Sequence, residues 1–491
     1  MYTADEQEGA AGSGARVAIA IALVLATLAT RALWFGNMAA TTDEQLYALI
    51  GAELAKGDLP YLDLWDRKPF GLFAIFAAGE WIATGPVGFQ ILAGIFTLGG
   101  AWLVYLLARK EVDWITSTGA ALLYVILISL YGGYSGQSEV FHAPLMLLMA
   151  WLVLDTSAPH YSTRTVVAML VGGLALQVKY TVLPQCLFFG LVALWQLHRH
   201  GFALPRIIAM AALYAAMGLL PTVAVCLLYW SNGGLDAFWF ANFESFFLRD
   251  SAGRFLPKVV TSLLPLAILG AAGAYLAFRG KPLRNPAIYT MFLGWAAAAT
   301  ISAFLPGTVY IYYFGAMAAP IILIALPLLD RNGPVKAVPL VLILAASTWL
   351  LGPLADWKTS REETAQLTQL AGKIAPLVDD RSQCLWVHDG PTALYTMTES
   401  CLPTRYIYPD HLNNALETDA ALGLSQTQEA LRVLKSRPPV IVTAQRPLTS
   451  QNPEVLQAVQ DEIAAHYEEL GQAESGYRTV VAYARKEAEA E

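Results

Sequence analysis

The chain has 491 residues, of which 56% are hydrophobic and only 14% are charged. Soluble proteins carry about 25% charged residues, and the mean hydropathy here is +0.48, so a soluble globular domain is excluded. The net charge of −7 is unevenly distributed, and no basic cluster with interleaved aromatic residues suggests a nucleic-acid partner. We therefore predict a polytopic α-helical membrane protein in contact with membrane lipid.

Eleven apolar runs approach the length of about 20 residues that a membrane span needs. They cover residues 16–35, 86–108, 115–131, 139–155, 165–179, 181–197, 204–230, 257–278, 286–305, 313–329 and 336–354. Residues 1–15 lack the basic start of a secretory signal, so we expect the first run to be retained as a span. Lysine and arginine concentrate in alternate short loops, which predicts a cytoplasmic N-terminus. With an odd number of spans, the C-terminal region lies outside.

A charged stretch, Thr41–Gly71, follows the first span and contains six carboxylates and three cations. A carboxylate such as Asp43 or its neighbour Glu44 can take a proton from a hydroxyl group that attacks the anomeric carbon of a sugar. Arg67 and Lys68 can bind an anionic leaving group such as a lipid phosphate. Two simpler interpretations remain open: Asp43 only caps a helix, and Lys68 only reaches toward lipid headgroups.

Two helices are predicted between residues 36 and 85, outside the membrane core. The first covers 44–56 and is capped by Thr42 or Asp43. The residues expected on its apolar face are Leu46, Ile50 and Leu54. The second helix, over 70–84, is too short and interrupted to span, so we expect it to lie in the membrane interface.

A second acidic position occurs at Glu139, at the entry of a predicted span, with His142 one turn later on the same face. A carboxylate at the edge of a membrane is a candidate functional group. Lys179, at the end of another span, is positioned to bind a phosphate, and Tyr312 and Tyr313 belong to an outside aromatic cluster. The alternatives are that Gln137, Ser138 or Glu139 only caps the helix, that His142 has a packing role, and that the others are interfacial anchors.

Residues 356–491 have a different composition, and their alternating pattern predicts a small α/β domain outside the membrane. The predicted helices are 360–375, 424–436 and 453–466, and the predicted strands are 384–389, 404–409, 440–444 and 479–485. Cys384 and Cys401 are either bridged or free. The aromatic loop 231–256 is either an interfacial belt or a lid. We divide the chain into a membrane module, 1–355, which includes the loop 36–85, and the domain 356–491.

The stretch TDEQLYALIGAELAKGDLPYLDLWDRKPFG resembles the first outside loop of the GT-C glycosyltransferases. The resemblance is to the protein O-mannosyltransferases, the lipid A aminoarabinose transferase and, above all, the lipopolysaccharide galacturonosyltransferase-like group. Phe70 stands where a second proline is usual, which affects the turn and leaves the charged groups in place. Further similar segments are SGQSEVFHAPL with Glu139, GLALQVKYTVLP with Lys179, and YIYYFGAMAAP, where Tyr312 replaces a common histidine.

The resemblance implies a GT-C fold and a polyprenyl-phosphate-linked sugar donor. The implied catalytic residues are Asp43, Glu44 and Glu139. The implied donor-phosphate ligands are Lys68, Lys179 and Arg67. The implied substrate-lining residues are Tyr47, Tyr61, His142, Tyr312 and Tyr313. Some relatives use a divalent cation and others do not; if one binds here, Asp43 and Glu139 are its expected ligands.

The expected function is that of an inverting glycosyltransferase at the periplasmic face of the bacterial inner membrane, with its C-terminal domain in the periplasm. The expected acceptor is lipopolysaccharide, an exopolysaccharide or another glycan or lipid-linked acceptor of the cell envelope. Three other functions remain open: a transporter or flippase of lipid-linked sugars, a protein O-glycosyltransferase, and a non-catalytic membrane scaffold.

Overall fold

The computed structural model describes residues 12–155, 160–250, 257–279, 283–306, 308–476 and 478–486. Most of the polar N-terminal segment, the end of the aromatic loop, and the cations Arg254 and Lys281 therefore lie outside the described residues. The chain divides into two compact units. Unit 1 comprises Met1–Phe35, Gln90–Val225 and Gly253–Ala355, and unit 2 comprises Gly36–Phe89, Cys226–Ala252 and Asp356–Glu491. The loop 36–85, which the sequence predicts to be part of the membrane module, is in the same compact unit as residues 356–491.

The described residues of unit 1 form helices joined by loops, with no strand. Its helices are Ser13–Arg31, Pro86–Ala108, Trp114–Ile128, Ser138–Leu154, Tyr161–Leu176, Leu183–Arg199, Leu204–Ser231, Pro257–Arg279, Pro286–Phe304, Ala318–Ile324, Leu326–Leu329 and Val338–Leu351. Pro86–Ala108 begins in unit 2, and Leu204–Ser231 ends in unit 2. Shorter helical turns occupy Ala32–Trp34, Ser129–Gly133, Tyr180–Val182 and Ile311–Met317. Each of the eleven predicted apolar runs is therefore helical.

Eight of these segments in the described chain are long and apolar enough to cross a membrane. The other three predicted spans are shorter or interrupted. Ser138–Leu154 and Tyr161–Leu176 have 17 and 16 residues, and the run 313–329 is divided between a 3₁₀ turn and two short helices. The membrane character of the chain is confirmed, and the total of about eleven crossings stays a prediction.

Small residues allow the helices of unit 1 to pack closely. At Gly173, a Cβ atom would lie only 2.3 Å from the carbonyl oxygen of Gly218 on a neighbouring helix. Such close backbone approach is typical of membrane helices, where packing and hydrogen bonds replace the hydrophobic effect. On outer helices, large apolar side chains such as Leu219 and Leu227 are each 56% exposed. This surface suits contact with lipid acyl chains.

Unit 2 combines helices with one mixed sheet. Its helices are Thr42–Lys56, Phe70–Ile82, Leu235–Trp239, Ser245–Leu248, Pro353–Ile374, Ala393–Thr398, Pro409–Asn413, Asp419–Leu422, Gln426–Lys435 and Pro453–His466. Pro353–Ile374 begins in unit 1. Helical turns occupy Phe240–Glu244 and Ala375–Leu377. Its strands are β1 (Trp386–Val387), β2 (Val440–Ala444), β3 (Tyr467–Glu474) and β4 (Thr479–Arg485). The strand order is β1-β2-β4-β3, with β1 parallel to β2 and the other pairs antiparallel.

The sheet confirms two predicted strands, and the predicted strand 384–389 is shortened to β1. The predictions for β2 and β4 were right, whereas the predicted strand 404–409 does not form. Within that segment the carbonyl of Arg405 accepts a hydrogen bond from the backbone of Trp65, and Pro403 and Pro409 lie at either end. The sequence analysis missed β3, YEELGQAE, because it has no β-branched residue. Pairing with β4 supplies the stability that its own propensity lacks.

A disulfide joins Cys384 and Cys401, which are 17 positions apart. The bridge closes the loop that carries β1 and the helix Ala393–Thr398. A cross-link over a loop of this size restricts the unfolded chain and is worth about 3 kcal/mol in the loop-entropy model.

We expect the double variant Cys384→Ser/Cys401→Ser to unfold at a lower temperature than the wild type. Thermal unfolding of the full chain in detergent, without reductant, measures the change. The matched control is Cys226→Ser, a cysteine outside the disulfide, and we expect it to leave the transition nearly unchanged. Equal transitions for the double variant and the wild type would contradict a stabilising bridge.

Candidate functional site

In unit 2, the helix Thr42–Lys56 is capped by Thr41, whose side-chain oxygen accepts a hydrogen bond from the backbone N–H of Glu44 at 3.4 Å. The prediction that Thr42 or Asp43 caps this helix was therefore wrong. Asp43 instead lies in the first turn and is partly buried. The N-terminal turn of a helix favours negatively charged side chains. The carboxylate of Asp43 thus occupies a favourable electrostatic position without serving as the cap.

The same helix buries more polar surface than its predicted apolar face suggested. Glu44 and Gln45 are buried with the apolar residues, and Gln45 Oε1 accepts a hydrogen bond from the backbone of Ala393 at 3.3 Å. Tyr47 is also buried, with its ring packed edge-on against Phe76 at a centroid distance of 5.6 Å. In this structure Glu44 and Tyr47 are interior residues of unit 2.

Tyr61 is a packing residue that positions Lys68. It is fully buried and adopts a φ of 70°, a left-handed conformation that is uncommon for a bulky side chain. Its ring lies 5.4 Å from that of Tyr229 and 5.6 Å from that of Phe238. Its hydroxyl donates a hydrogen bond of 2.6 Å to the carbonyl oxygen of Lys68. Tyr61 thus has a structural role, and its predicted contact with substrate is untested.

Asp66 holds the other side of the Lys68 backbone. Its Oδ1 accepts a hydrogen bond from the Lys68 N–H at 2.7 Å, and its Oδ2 lies 3.9 Å from Nε2 of the buried His411. Burial raises the pKa of Asp66 from its usual value, against the opposing charges of Lys68 and Arg67. Burial also lowers the pKa of His411 well below its usual value, so this imidazole is neutral near pH 7.

Arg67 is committed to an ion-pair network inside unit 2. Its Nη1 donates to Glu417 Oε1 at 2.9 Å, its Nε donates to Ser245 Oγ at 2.7 Å, and its guanidinium lies 4.5 Å from the ring centroid of Trp65. Arg249 pairs with the same carboxylate at 2.7 Å. The predicted phosphate contact would require breaking this network, so we do not retain Arg67 in the proposed site. The sequence analysis missed Glu417, because nothing in its local sequence distinguishes it.

Lys68 differs from its neighbour. In the parts of the chain that the structure describes, no carboxylate lies within ion-pair distance of its Nζ, which is 5.8 Å from the ring centroid of Tyr47. The side chain is partly exposed. The charged stretch therefore places one cation, with its backbone held on both sides, where it can receive an anion.

In unit 1, Glu139 and Lys179 form a buried ion pair. Gln137 caps the helix Ser138–Leu154 through its side chain, so of the three predicted cap candidates Gln137 is confirmed and Glu139 is not the cap. The second carboxylate oxygen of Glu139 accepts a hydrogen bond from Ser138 Oγ at 3.0 Å. The Lys179 ammonium also lies 3.8 Å from the ring centroid of Tyr313, a distance typical of a cation–π interaction.

Tyr312 completes the aromatic surround of this ammonium, with its ring centroid 5.6 Å from Lys179 Nζ. The bend that precedes Glu139 requires a glycine at Gly132, where φ is 86° and a Cβ atom would lie 3.3 Å from the Cβ of Tyr312. The buried Arg31 donates to the carbonyl oxygens of Gly133 and Ser135, which satisfies backbone groups where the helix is interrupted. The pair is thus built into a fixed backbone.

His142 is buried one turn after Glu139, and neither ring nitrogen has a hydrogen-bond partner among the described residues. Its predicted contact with substrate is untested. Across the same residues no group of three or more histidine, cysteine, aspartate or glutamate side chains is arranged to hold a metal ion. The assignment of Asp43 and Glu139 as ligands of a divalent cation stays a prediction.

Removing one partner of the buried pair leaves the other charge uncompensated. We expect Glu139→Gln and Lys179→Met each to lower the free energy of unfolding by about 3–5 kcal/mol. The double variant removes both charges, so we expect it to be more stable than either single variant. Thermal unfolding in detergent is the measurement. The control is Lys56→Met, since Lys56 pairs with Glu53 at the surface, where a pair contributes about 0–1 kcal/mol. A double variant that unfolds as early as the single variants would contradict this account.

No protein-family model and no curated protein matches the sequence. Solved structures do match. ArnT from Cupriavidus metallidurans bound to undecaprenyl phosphate superposes with a TM-score of 0.63 and 17% identity, and the match covers 96% of this chain and 98% of that chain. Its apo state gives a TM-score of 0.65 at 16% identity, with the same coverage.

The Archaeoglobus fulgidus oligosaccharyltransferase in the apo form matches with a TM-score of 0.50 and 13% identity, over 87% of this chain and 69% of that chain. At such low identities the similarity establishes the fold. The match to ArnT extends over nearly the whole of both chains. The chain therefore has the GT-C fold, as its sequence resemblance implied.

Proposed function

We propose that this protein is an inverting membrane glycosyltransferase that transfers a sugar from a polyprenyl-phosphate donor to an acceptor of the cell envelope. The observation that carries the proposal is the environment of Lys68. Two fixed contacts hold its backbone, and its ammonium has no carboxylate partner among the described residues. In the same stretch, Asp43 lies in the first turn of a helix. A cation for a phosphate and a carboxylate for a hydroxyl proton are the two groups that this transfer needs.

In the proposed reaction, Asp43 accepts the proton of the acceptor hydroxyl while the hydroxyl oxygen attacks the anomeric carbon. A new bond forms between this oxygen and the anomeric carbon as the bond from that carbon to the phosphate oxygen breaks. The phosphate departs with the bonding electrons, and the ammonium group of Lys68 stabilises its charge. A role for Lys179 in binding the donor phosphate stays a prediction from the sequence. The products are a glycoside of inverted configuration and the polyprenyl phosphate. Glu139 is proposed to act as a positioning residue that holds Lys179.

The choice of donor is supported by the fold comparison. The ArnT structure of similar fold was solved with undecaprenyl phosphate bound, so a polyprenyl phosphate is our proposed carrier lipid for this chain. The proposed acceptors are lipopolysaccharide, an exopolysaccharide or another envelope glycan. The disulfide between Cys384 and Cys401 supports a location of the C-terminal domain in an oxidising compartment. We therefore propose the bacterial inner membrane, with this domain in the periplasm and the N-terminus in the cytoplasm.

The variant Asp43→Asn keeps the shape of the side chain and removes the proton acceptor. General-base catalysis contributes about 10²- to 10⁴-fold to rate, so we expect a loss of that order in transfer at saturating donor. The assay uses membrane vesicles and a panel of synthetic polyprenyl-phosphate sugars. The matched control is Asp58→Asn, an exposed carboxylate of the same stretch, and we expect it to keep its activity. Wild-type transfer by Asp43→Asn would refute the assignment of the base.

Lys68→Met keeps the aliphatic stem and removes the charge that we assign to the donor phosphate. A hydrogen bond to a charged group is worth about 1.5–3 kcal/mol, so we expect the KM for the donor to rise about tenfold or more. Lys68→Arg should recover part of the loss, because it restores the charge. The control is Lys56→Met, at the exposed end of the helix Thr42–Lys56. An unchanged KM and kcat in Lys68→Met would exclude a contact with the donor.

A further inference from the structure

A cavity of about 70 Å³ lies in unit 1, where three loops meet. The loops join Pro86–Ala108 to Trp114–Ile128, Pro257–Arg279 to Pro286–Phe304, and Leu326–Leu329 to Val338–Leu351. Its wall is part polar and part apolar, with Glu111, Arg284, Asp330, Tyr289, Leu276 and Leu326 among the lining residues. Segments of membrane-crossing length end here. In a membrane that these segments cross, their ends, and with them the cavity, would reach the lipid headgroups.

Glu111 is the central polar group of this cavity. Its side chain is buried, with 8% of the residue exposed. Its Oε2 accepts a hydrogen bond from the backbone N–H of Asn285 at 3.2 Å, whereas its Oε1 has no partner among the described residues. Burial raises the pKa of Glu111 to about 7. A buried carboxylate oxygen without a donor is costly, and a ligand that brings an N–H group would remove that cost.

Arg284 supplies the opposite charge at the rim. It is exposed, it lines the cavity, and its charge acts on Glu111. The third loop is held in place by Asp113, which pairs with Arg331 at 3.0 Å and accepts a hydrogen bond from Asn332 at 3.1 Å. The carboxylate is thus inside, the guanidinium is at the mouth, and the loop that carries Asp330 is fixed.

We infer that this cavity binds the headgroup of an aminophospholipid, with the primary ammonium at Glu111 and the phosphate at Arg284. The negative Glu111 inside the cavity meets the ammonium at the end of the headgroup, and the positive Arg284 at the mouth meets the phosphate. A water molecule needs about 10–15 Å³ of such a cavity, so the space suits an ammonioethyl group of a few atoms. Leu276 and Leu326 provide apolar wall for the adjoining part of the lipid.

This site is distinct from the Glu139–Lys179 pair. The segment Trp114–Gly133 separates the loop of Glu111 from the bend before Glu139, and it has 20 residues. At 1.5 Å per residue, a helix of that length covers about 30 Å. The two sites are therefore at opposite ends of the same segment of unit 1, and the inference does not depend on the proposed transferase activity.

The test measures thermal unfolding of the delipidated full chain in detergent with added lipid. We expect dioleoylphosphatidylethanolamine to raise the unfolding temperature by about 2 °C or more. Dioleoylphosphatidylcholine has the same charges but no N–H donor, so we expect a much smaller rise. Free O-phosphoethanolamine distinguishes the sources of the headgroup. If the unfolding temperature rises with the lipid but not with O-phosphoethanolamine, the ligand is a lipid of the bilayer. If it rises with both compounds, the headgroup alone is sufficient for binding. Either result supports the inference.

Glu111→Gln should remove the preference for phosphatidylethanolamine, since its Oε can still accept from Asn285 but its charge is lost. The matched control is Glu53→Gln, a surface carboxylate of unit 2, and it should keep the preference. If Glu111→Gln does not fold, Arg284→Gln, an exposed substitution, should weaken the response to the lipid. Equal stabilisation by the two lipids, or an unchanged preference in Glu111→Gln, would overturn the inference. Where Arg284→Gln is measured instead, an unchanged response to phosphatidylethanolamine would overturn it.

Discussion

Unit 2 depends on one buried carboxylate, that of Glu417. Its side chain is 2% exposed and is paired with both Arg67 and Arg249. These arginines come from two other parts of the sequence, and Arg67 and Glu417 are 350 positions apart. Removing a single member of such a buried group leaves a charge uncompensated, which costs several kcal/mol. The interaction therefore specifies how the charged stretch, the aromatic segment and the C-terminal domain fold into one unit.

This network also explains why two adjacent cations differ in role. Arg67 has a planar guanidinium, which can bind both oxygens of Glu417 while lying over the ring of Trp65. The ammonium of Lys68 has no such fork and lies near Tyr47 without an ion pair in the described chain. The backbone between them is held by Asp66. A structural arginine thus fixes the position from which a lysine can meet a ligand.

In unit 1 the buried polar groups must find partners within the protein, because a membrane offers them no water. Arg31 donates to carbonyl oxygens at the interrupted helix, and Glu139 neutralises Lys179 beneath the rings of Tyr312 and Tyr313. Glu111 has an incomplete set of partners. Arg31 and the Glu139–Lys179 pair thus find partners within the protein, whereas Glu111 has one buried oxygen that a ligand could satisfy.

The sequence by itself determined the features that depend on local pattern. Hydropathy located each apolar helix, and the charged stretch with Asp43 and Lys68 was recognisable from composition and from a family resemblance. The strands β2 and β4 were predicted because their residues favour a buried pleated surface.

Only the tertiary structure decided which polar residues are structural. In the structure Tyr61 is a packing residue, Arg67 is a partner of Glu417, and Thr41 is the helix cap. The strand β3 exists because β4 pairs with it. The physical reason is the same in each case: burial and ion pairing depend on residues brought together from distant parts of the chain, and a local pattern does not specify that proximity.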